Sequence, residues 1–470
     1  MPSPWIRSQT AIADPALILV DLAGASSSVP GSRAVLYLRS LFPVAIVVMN
    51  SSHRAVRRSL PWLLAGLSMI GPFSIDAVFP AFPLIGARFH VDDVALQQLI
   101  SVYLITYASM SLFHGAISDA IGRKPVIATG MLVYAFASAG AAMSTSFPML
   151  LVCRGLQGMC AGAGLVVGRA VIRDTFQGAD AQRLMSRVMM IFGVAPVIAP
   201  MVGALLLGFG GWHGIFWVLT VFTALLSLAL LLLLEESHPP SRRTSFSPRP
   251  LLASYLSFSR DRAFWPLLIS SSVNFAGLFL YISSAPRIVR ELLHLSAAGF
   301  PWLFMPVVIG LVGGAWLSGR MAERRSARFT VNLGYAALLS ACALHILLAL
   351  IFREPQLPWS MLPLTLEGIG VQLAFPTLTL LLLDRFPNQR GSISSVQAFA
   401  SLILCSAVAG VLSPLLSSSM LPLALGASAL SVCGMLSWWW YCSISQRSLN
   451  QSLATADASV TLQAEIAEPL

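Results

Sequence analysis

Three ionisable side chains stand inside long apolar stretches of this 470-residue chain: Asp76, Arg154 and Glu367. A charged group within a membrane-crossing helix is costly, so such residues mark ion or substrate paths by default. A nearby cation favours a carboxylate and burial favours the neutral acid, so a carboxyl group switched between those settings takes up and releases protons. The chemistry suggested is proton binding rather than bond cleavage, because no nucleophile–base or metal constellation accompanies these residues. A Gly-x4-Gly-Lys-Ser/Thr phosphate loop is also absent from the sequence, which argues against direct use of ATP. At 1.5 Å per residue, Asp76 lies about 12 Å and Arg154 about 9 Å from the outer ends of their segments, so the two are expected to meet. The bland alternative is a permanent ion pair that only fixes two helices. Glu367 is expected near the midplane, as a second protonation site or a recognition site for cationic substrates. Its alternative is a permanently protonated acid hydrogen-bonded inside the bundle.

These residues need membrane helices to hold them. The chain is 56% hydrophobic and 10% charged, with a mean hydropathy of +0.78, whereas soluble domains carry about 25% charged residues. About 20 apolar residues cross the hydrocarbon core. Twelve such segments are predicted: 61–84, 97–117, 125–143, 148–168, 187–208, 212–234, 263–285, 300–319, 328–351, 358–381, 391–413 and 420–442. The expected fold is an all-α integral membrane protein of two pseudo-symmetric six-helix bundles, 59–234 and 263–445, joined by a cytoplasmic loop, 235–262. A common offset of 210 aligns Leu156 with Leu366, Gly158 with Gly368, Asp174 with Asp384 and Phe176 with Phe386. That shared order supports duplicated halves around a central cavity, as in alternating-access carriers. Residues 1–58 are read as an extension, with Met49 the expected true start, and 446–470 as a disordered cytoplasmic tail.

The net charge of +10 rests on 29 basic residues, of which Lys124 is the one lysine. With residues 50–60 placed inside, twenty cations fall in inside segments and four outside: Arg88, Arg287, Arg290 and Arg353. This positive-inside bias puts both termini in the cytoplasm. The basic balance therefore reports topology, and a nucleic-acid partner is not expected. The six cysteines show no metal-ligand spacing, and they read as small buried hydrophobes. No metal or cofactor is expected.

Several motifs surround these charges. The turn between the second and third segments reads Gly115-x3-Asp119-x2-Gly122-Arg123-Lys124, and it is echoed by Gly319-x3-Glu323-Arg324. The fourth segment carries Leu150-x3-Arg154-x2-Gln157-Gly158, and the fifth carries Gly193-x2-Pro196-x3-Pro200-x2-Gly203. Ser74-Ile75-Asp76 precedes Pro80 and Pro83. With these motifs, residues 60–442 resemble the major facilitator superfamily, and more narrowly its bicyclomycin/chloramphenicol-resistance group of drug:proton antiporters. Ala120 departs from the turn pattern, where the family usually has a basic residue, and Ala199 and Ala204 replace glycines of the wider fifth-helix pattern. The resemblance implies a proton-driven exporter of small amphipathic compounds in a bacterial inner membrane, with protons, lipid and a small-molecule substrate as partners and a monomeric state. Exporters of a natural metabolite, or a non-transporting sensor on the same fold, are the rival readings.

Further roles follow as expectations. Asp119, Arg123 and Lys124 are expected to hold a cytoplasmic gate with Gly115 and Gly122, with Asp119 near the helix end bearing Arg173, and with Glu323 and Arg324 as its counterpart. Pro196 and Pro200 each remove a backbone donor, so they are expected to kink or loosen the fifth helix between Gly193 and Gly203. A polyspecific cavity is apolar and aromatic with a few polar groups; Tyr103, Tyr107, Gln157, Asn274, Phe275, Phe279 and Tyr281 are its candidates. His114 and His345 are expected to satisfy ordinary hydrogen bonds.

Overall fold

The computed structural model describes residues 60–467 apart from Gln177, Ser245, Ala322, Glu323 and Arg353. The extension 1–58, with the expected start at Met49, lies outside the described residues. Among those residues, eleven helices are long and apolar enough to cross a membrane. The first four are α1 (Leu60–Phe89), α2 (Asp93–Ile121), α3 (Arg123–Ala142) and α4 (Phe147–Thr175). A continuous run, Gly178–Leu233, holds two crossings, because Gly210 and Gly211 leave helical dihedrals in its interior. Gly211 takes φ +58°, which glycine adopts without a side-chain penalty. We label the stretch before this break α5 and the stretch after it α6. The second half comprises α7 (Phe264–Leu292), α8 (Phe300–Met321), α9 (Ala327–Ile351), α10 (Pro363–Arg385), α11 (Arg390–Leu416) and α12 (Met420–Arg447).

Local sequence accounts for several boundaries. Asp92 caps α2 by accepting from the Ala95 amide, Ser146 caps α4 through Met149, and Ser326 caps α9 through Phe329. Such caps satisfy amides that the first helical turn leaves without partners. Pro196 and Pro200 lie inside the Gly178–Leu233 run without helix-breaking dihedrals. The break in helical dihedrals falls on the glycine pair rather than on the prolines. The last helix continues as Met420–Ala467, where a disordered tail was expected. Residues 443–467 contain neither glycine nor proline, so nothing in that stretch punctuates a helix.

Apolar side chains such as Leu232, Trp316 and Leu350 point outward, whereas the enclosed faces carry serine, tyrosine and the ionisable groups. Helices satisfy their own backbone polar groups, which is why they can present such apolar faces to lipid. The chain crosses with alternating direction, so its 2–3 turn, its central loop and the end of α12 share one face, here called the terminal face. At the opposite face the halves are joined by hydrogen bonds. Gln97 donates to the Ser283 carbonyl at 2.9 Å, and the Ser101 and Ser406 hydroxyls lie 2.9 Å apart. Gln98 also donates to the Gly410 carbonyl. At the terminal face, a loop helix, Pro248–Phe258, puts the Tyr255 hydroxyl 2.8 Å from the Leu112 carbonyl of α2.

Candidate functional site

Arg154 is fully enclosed on α4 and organises the interior of the first half. Its Nε donates to the Leu99 carbonyl of α2 at 3.0 Å. Its Nη1 donates to Ser74 Oγ of α1 and to Gln157 Oε1, each at 2.8 Å. The guanidinium also lies 4.5 Å from the centre of the Tyr103 ring, a cation–π arrangement that suits arginine's weakly hydrated plane. Gln157 in turn donates to Ser138 on α3, and Tyr134 of α3 donates to Ser74 at 2.6 Å. One arginine thus ties α1, α2 and α4 together, with α3 reached through its partners. Among the described atoms, Arg154 Nη2 retains no partner.

Asp76 is 3% exposed and ends the regular part of α1, just before the 3₁₀ turn Phe79–Ala81. It does not pair with Arg154. Similar depth along two helices did not bring the charges together, because Ser74, on another side of α1, occupies the guanidinium instead. Gly203 of α5 packs directly on the Ala77 backbone, where a β-carbon would overlap the carbonyl oxygen. The fifth-helix motif therefore meets the first helix beside Asp76, a link that neither segment reveals alone.

Glu367 occupies a comparable enclosed position in the second half. It lies four residues beyond Pro363, about 6 Å along α10, because residues 358–362 form turns before the helix begins. A β-carbon on Gly277 of α7 would sit 3.3 Å from Glu367 Oε1 and 3.4 Å from Ser431 Oγ of α12. Among the described residues, neither carboxyl oxygen has a hydrogen-bond partner. Tyr335 of α9 bonds Ser270 of α7 at 2.8 Å, mirroring the Tyr134–Ser74 pair of the first half. The glycines mirror one another as well: Gly158 presses on the Tyr103 backbone of α2, and Gly368 presses on the Val307 backbone of α8.

The residues expected to line one cavity separate into groups. Tyr103 and Gln157 belong to the enclosed network around Arg154, and Tyr107 stands edge-on to Tyr103 at 6.2 Å. Asn274 and Tyr281 are enclosed in the second half, where their side-chain polar atoms have no partner among the described residues. Phe275 and Phe279 pair with each other at 5.9 Å. Arg169 escaped the sequence reading because the fourth segment was ended at 168; α4 continues past it to Thr175. It interacts electrostatically with Tyr107.

The 2–3 turn forms a compact ionic cluster. Arg123 pairs with Asp119 at 2.6 Å and with Asp174, at the end of α4, at 3.1 Å. The contact expected near Arg173 is thus made by its neighbour Asp174, and Arg123 rather than Asp119 reaches it. Glu236 accepts from the Arg123 and Lys124 amides at 2.9 and 3.2 Å, using the exposed donors of a helix start, where negative charge is favoured. Gly122 takes φ +109°, and a side chain there would meet the Glu236 carboxylate. Gly115 has open space around its α-carbon. Asp174 and Glu236 are the members that local spacing did not reveal. In the second half, Arg324 donates its amide to the Met321 carbonyl, whereas Glu323 lies outside the described residues. Nearby, Asp261 pairs with Arg385 and Asp384 with Arg390.

Paired helical bundles with polar interiors, apolar exteriors and repeated internal geometry define a multi-pass membrane protein built of two related halves. The Major Facilitator Superfamily pattern matches residues 64–414, and the chain belongs to that family. It is 27% identical over 352 residues to multidrug resistance protein D of Escherichia coli (strain K12), covering 73% of this chain and 86% of the relative. It is 24% identical over 270 residues to a bicyclomycin resistance protein homologue of Haemophilus influenzae, covering 57% and 68%. These relatives agree with the resemblance drawn from the motifs. The human organic anion transporter MFSD10 shares the fold with a TM-score of 0.60 at 20% identity, covering 83% of this chain and 99% of that structure.

Proposed function

We propose that this chain exports small amphipathic compounds in exchange for protons, by alternating access across a bacterial inner membrane. The observation that carries the reading is the seclusion of Asp76 and Glu367, one in each half, without a salt-bridge partner among the described residues. Uncompensated buried carboxyl groups are what a proton-coupled cycle requires, and a purely structural acid is normally paired. In this reading Asp76 carries the exchanged proton, while Arg154 holds the first half in register and keeps an unpartnered donor close to α1. The arginine bias places the terminal face in the cytoplasm, so the Asp119–Arg123–Asp174 cluster serves as the inner gate. Tyr103, Tyr107, Asn274, Phe275, Phe279 and Tyr281 supply the aromatic and polar character of a drug-accepting interior when the halves part. The test is proton release from reconstituted vesicles on addition of chloramphenicol, other amphipathic drugs or a metabolite panel. Release coupled to transport, and lost in Asp76→Asn, is the expected result. A compound transported without proton movement would overturn antiport, and a transported metabolite with every drug inert would replace the cargo.

A further inference from the structure

Beyond Asp76 and Arg154, the described part of the second half holds a line of secluded polar groups with no assigned task. Glu367 on α10 faces α7 at Gly277, and Tyr281 follows Gly277 by one helical turn on the same face. The Tyr281 ring is stacked on the His345 ring of α9 with centroids 4.7 Å apart. His345 then lines a small pocket with Leu348, Phe352, Ser360 and Met420, beneath the loop that joins α9 to α10. Both Glu367 oxygens, the Tyr281 hydroxyl and both His345 ring nitrogens are buried without a hydrogen-bond partner among the described residues. Fully enclosed polar groups rarely remain so. Several in a row are what bound water satisfies.

We propose that His345, Tyr281 and Glu367 form a proton path that enters the second half from the face opposite the central loop and ends on the Glu367 carboxylate. The rings are stacked rather than hydrogen-bonded, so bound water carries each hop. A proton arriving at one imidazole nitrogen releases the proton on the other to water, which protonates the Tyr281 hydroxyl as that hydroxyl gives its own proton, through a second water, to Glu367. Release reverses these steps, and no bond to carbon changes. The groups facing Glu367 are Gly277 and Tyr281 from α7 and Cys342 from α9, with Ser431 of α12 beside Gly277. Cys342 lies 3.7 Å from Ser431, and α8 meets α10 through Gly310 and the Val307 backbone. No cation stands among these residues. Burial in the bundle wall, against Gly277 and Ser431, favours a proton over a bulky organic cation as the occupant. This path deepens the proton-coupled reading, yet its test needs no transported compound, so either proposal can fail alone.

The test is difference infrared spectroscopy of the full chain in lipid nanodiscs after rapid pH jumps. In an Asp76→Asn background, which removes the other secluded carboxyl group, a protonated-carboxyl band that disappears on alkalinisation is expected, and it is absent when Glu367→Gln is added. Tyr281→Phe and His345→Leu, together with Leu348→Trp, which fills the pocket, are expected to keep the band but slow its response at least about tenfold, a modest share of what a positioned proton carrier contributes. Thermal unfolding midpoints matched to the native protein establish that the variants are folded. A carboxyl band unaffected by Glu367→Gln overturns the site. A band that responds at native speed in all three path variants overturns the route.

Discussion

Ser74 accepts from two donors that would otherwise be stranded, Arg154 Nη1 and the Tyr134 hydroxyl. Ser74→Ala removes that shared acceptor inside the first half. A buried donor left without a partner costs about 1–3 kcal/mol, so the thermal midpoint of the purified protein is expected to fall. Ser74→Thr, which keeps the hydroxyl, is expected to stay closer to native; equal midpoints for all three proteins would contradict the shared-acceptor account. Arg123 presents a different balance, because Asp119, Asp174 and Glu236 all gather around it. Arg123→Gln leaves that acidic group without its enclosed cation, whereas Asp119→Ala leaves the Asp174 contact in place. Vesicle efflux at matched expression is therefore expected to fall further in Arg123→Gln than in Asp119→Ala. The reverse order would count against Arg123 as the centre of the proposed gate.

At the scale of the helix, contact depends on glycines that have no room for a side chain. Gly158→Ala would force α4 away from the Tyr103 carbonyl, and Gly368→Ala would force α10 away from the Val307 carbonyl. Overpacking of this kind costs about 1–3 kcal/mol, and both variants are expected to melt earlier than Gly313→Ala, whose site is open. The loop helix supplies a pH-dependent contact. Burial pushes the Tyr255 phenol up to about 12 from its ordinary value of 10. Its bond to the Leu112 carbonyl is thus fully present below the unfolded value and lost as pH rises through about 12. Protease cleavage within Pro248–Phe258 is expected to stay constant across neutral pH, and Tyr255→Phe to raise it. Helix existence and order were legible in the sequence because each crossing needs a long apolar run. Azimuth was not: Asp76 and Arg154 share a depth, but spacing along a chain says little about which side of a helix faces which neighbour. The ends were equally obscure where a helix continued through Arg169 or started late at Pro363. Asp174 and Glu236 were hidden for a third reason, since they reach Arg123 through folding over long sequence separations.

Across the whole molecule, serine and glutamine hydrogen bonds join the two halves at one face. In the proposed alternating-access cycle, opening of that face requires Ser101 and Ser406 to part from 2.9 Å. Cysteines at both positions, in a background stripped of the six native thiols, are close enough to cross-link. Oxidation is expected to stop efflux and reductant to restore it; full activity of the cross-linked protein would show that this seam does not open. Within each half, by contrast, a tyrosine of the third helix is bonded to a serine of the first, Tyr134 to Ser74 and Tyr335 to Ser270. Each bundle carries its own brace, so covalent continuity between them is expected to be dispensable for holding either one together. Two polypeptides produced from a gene cut between codons 238 and 248 should then find each other in the bilayer and rebuild a working carrier.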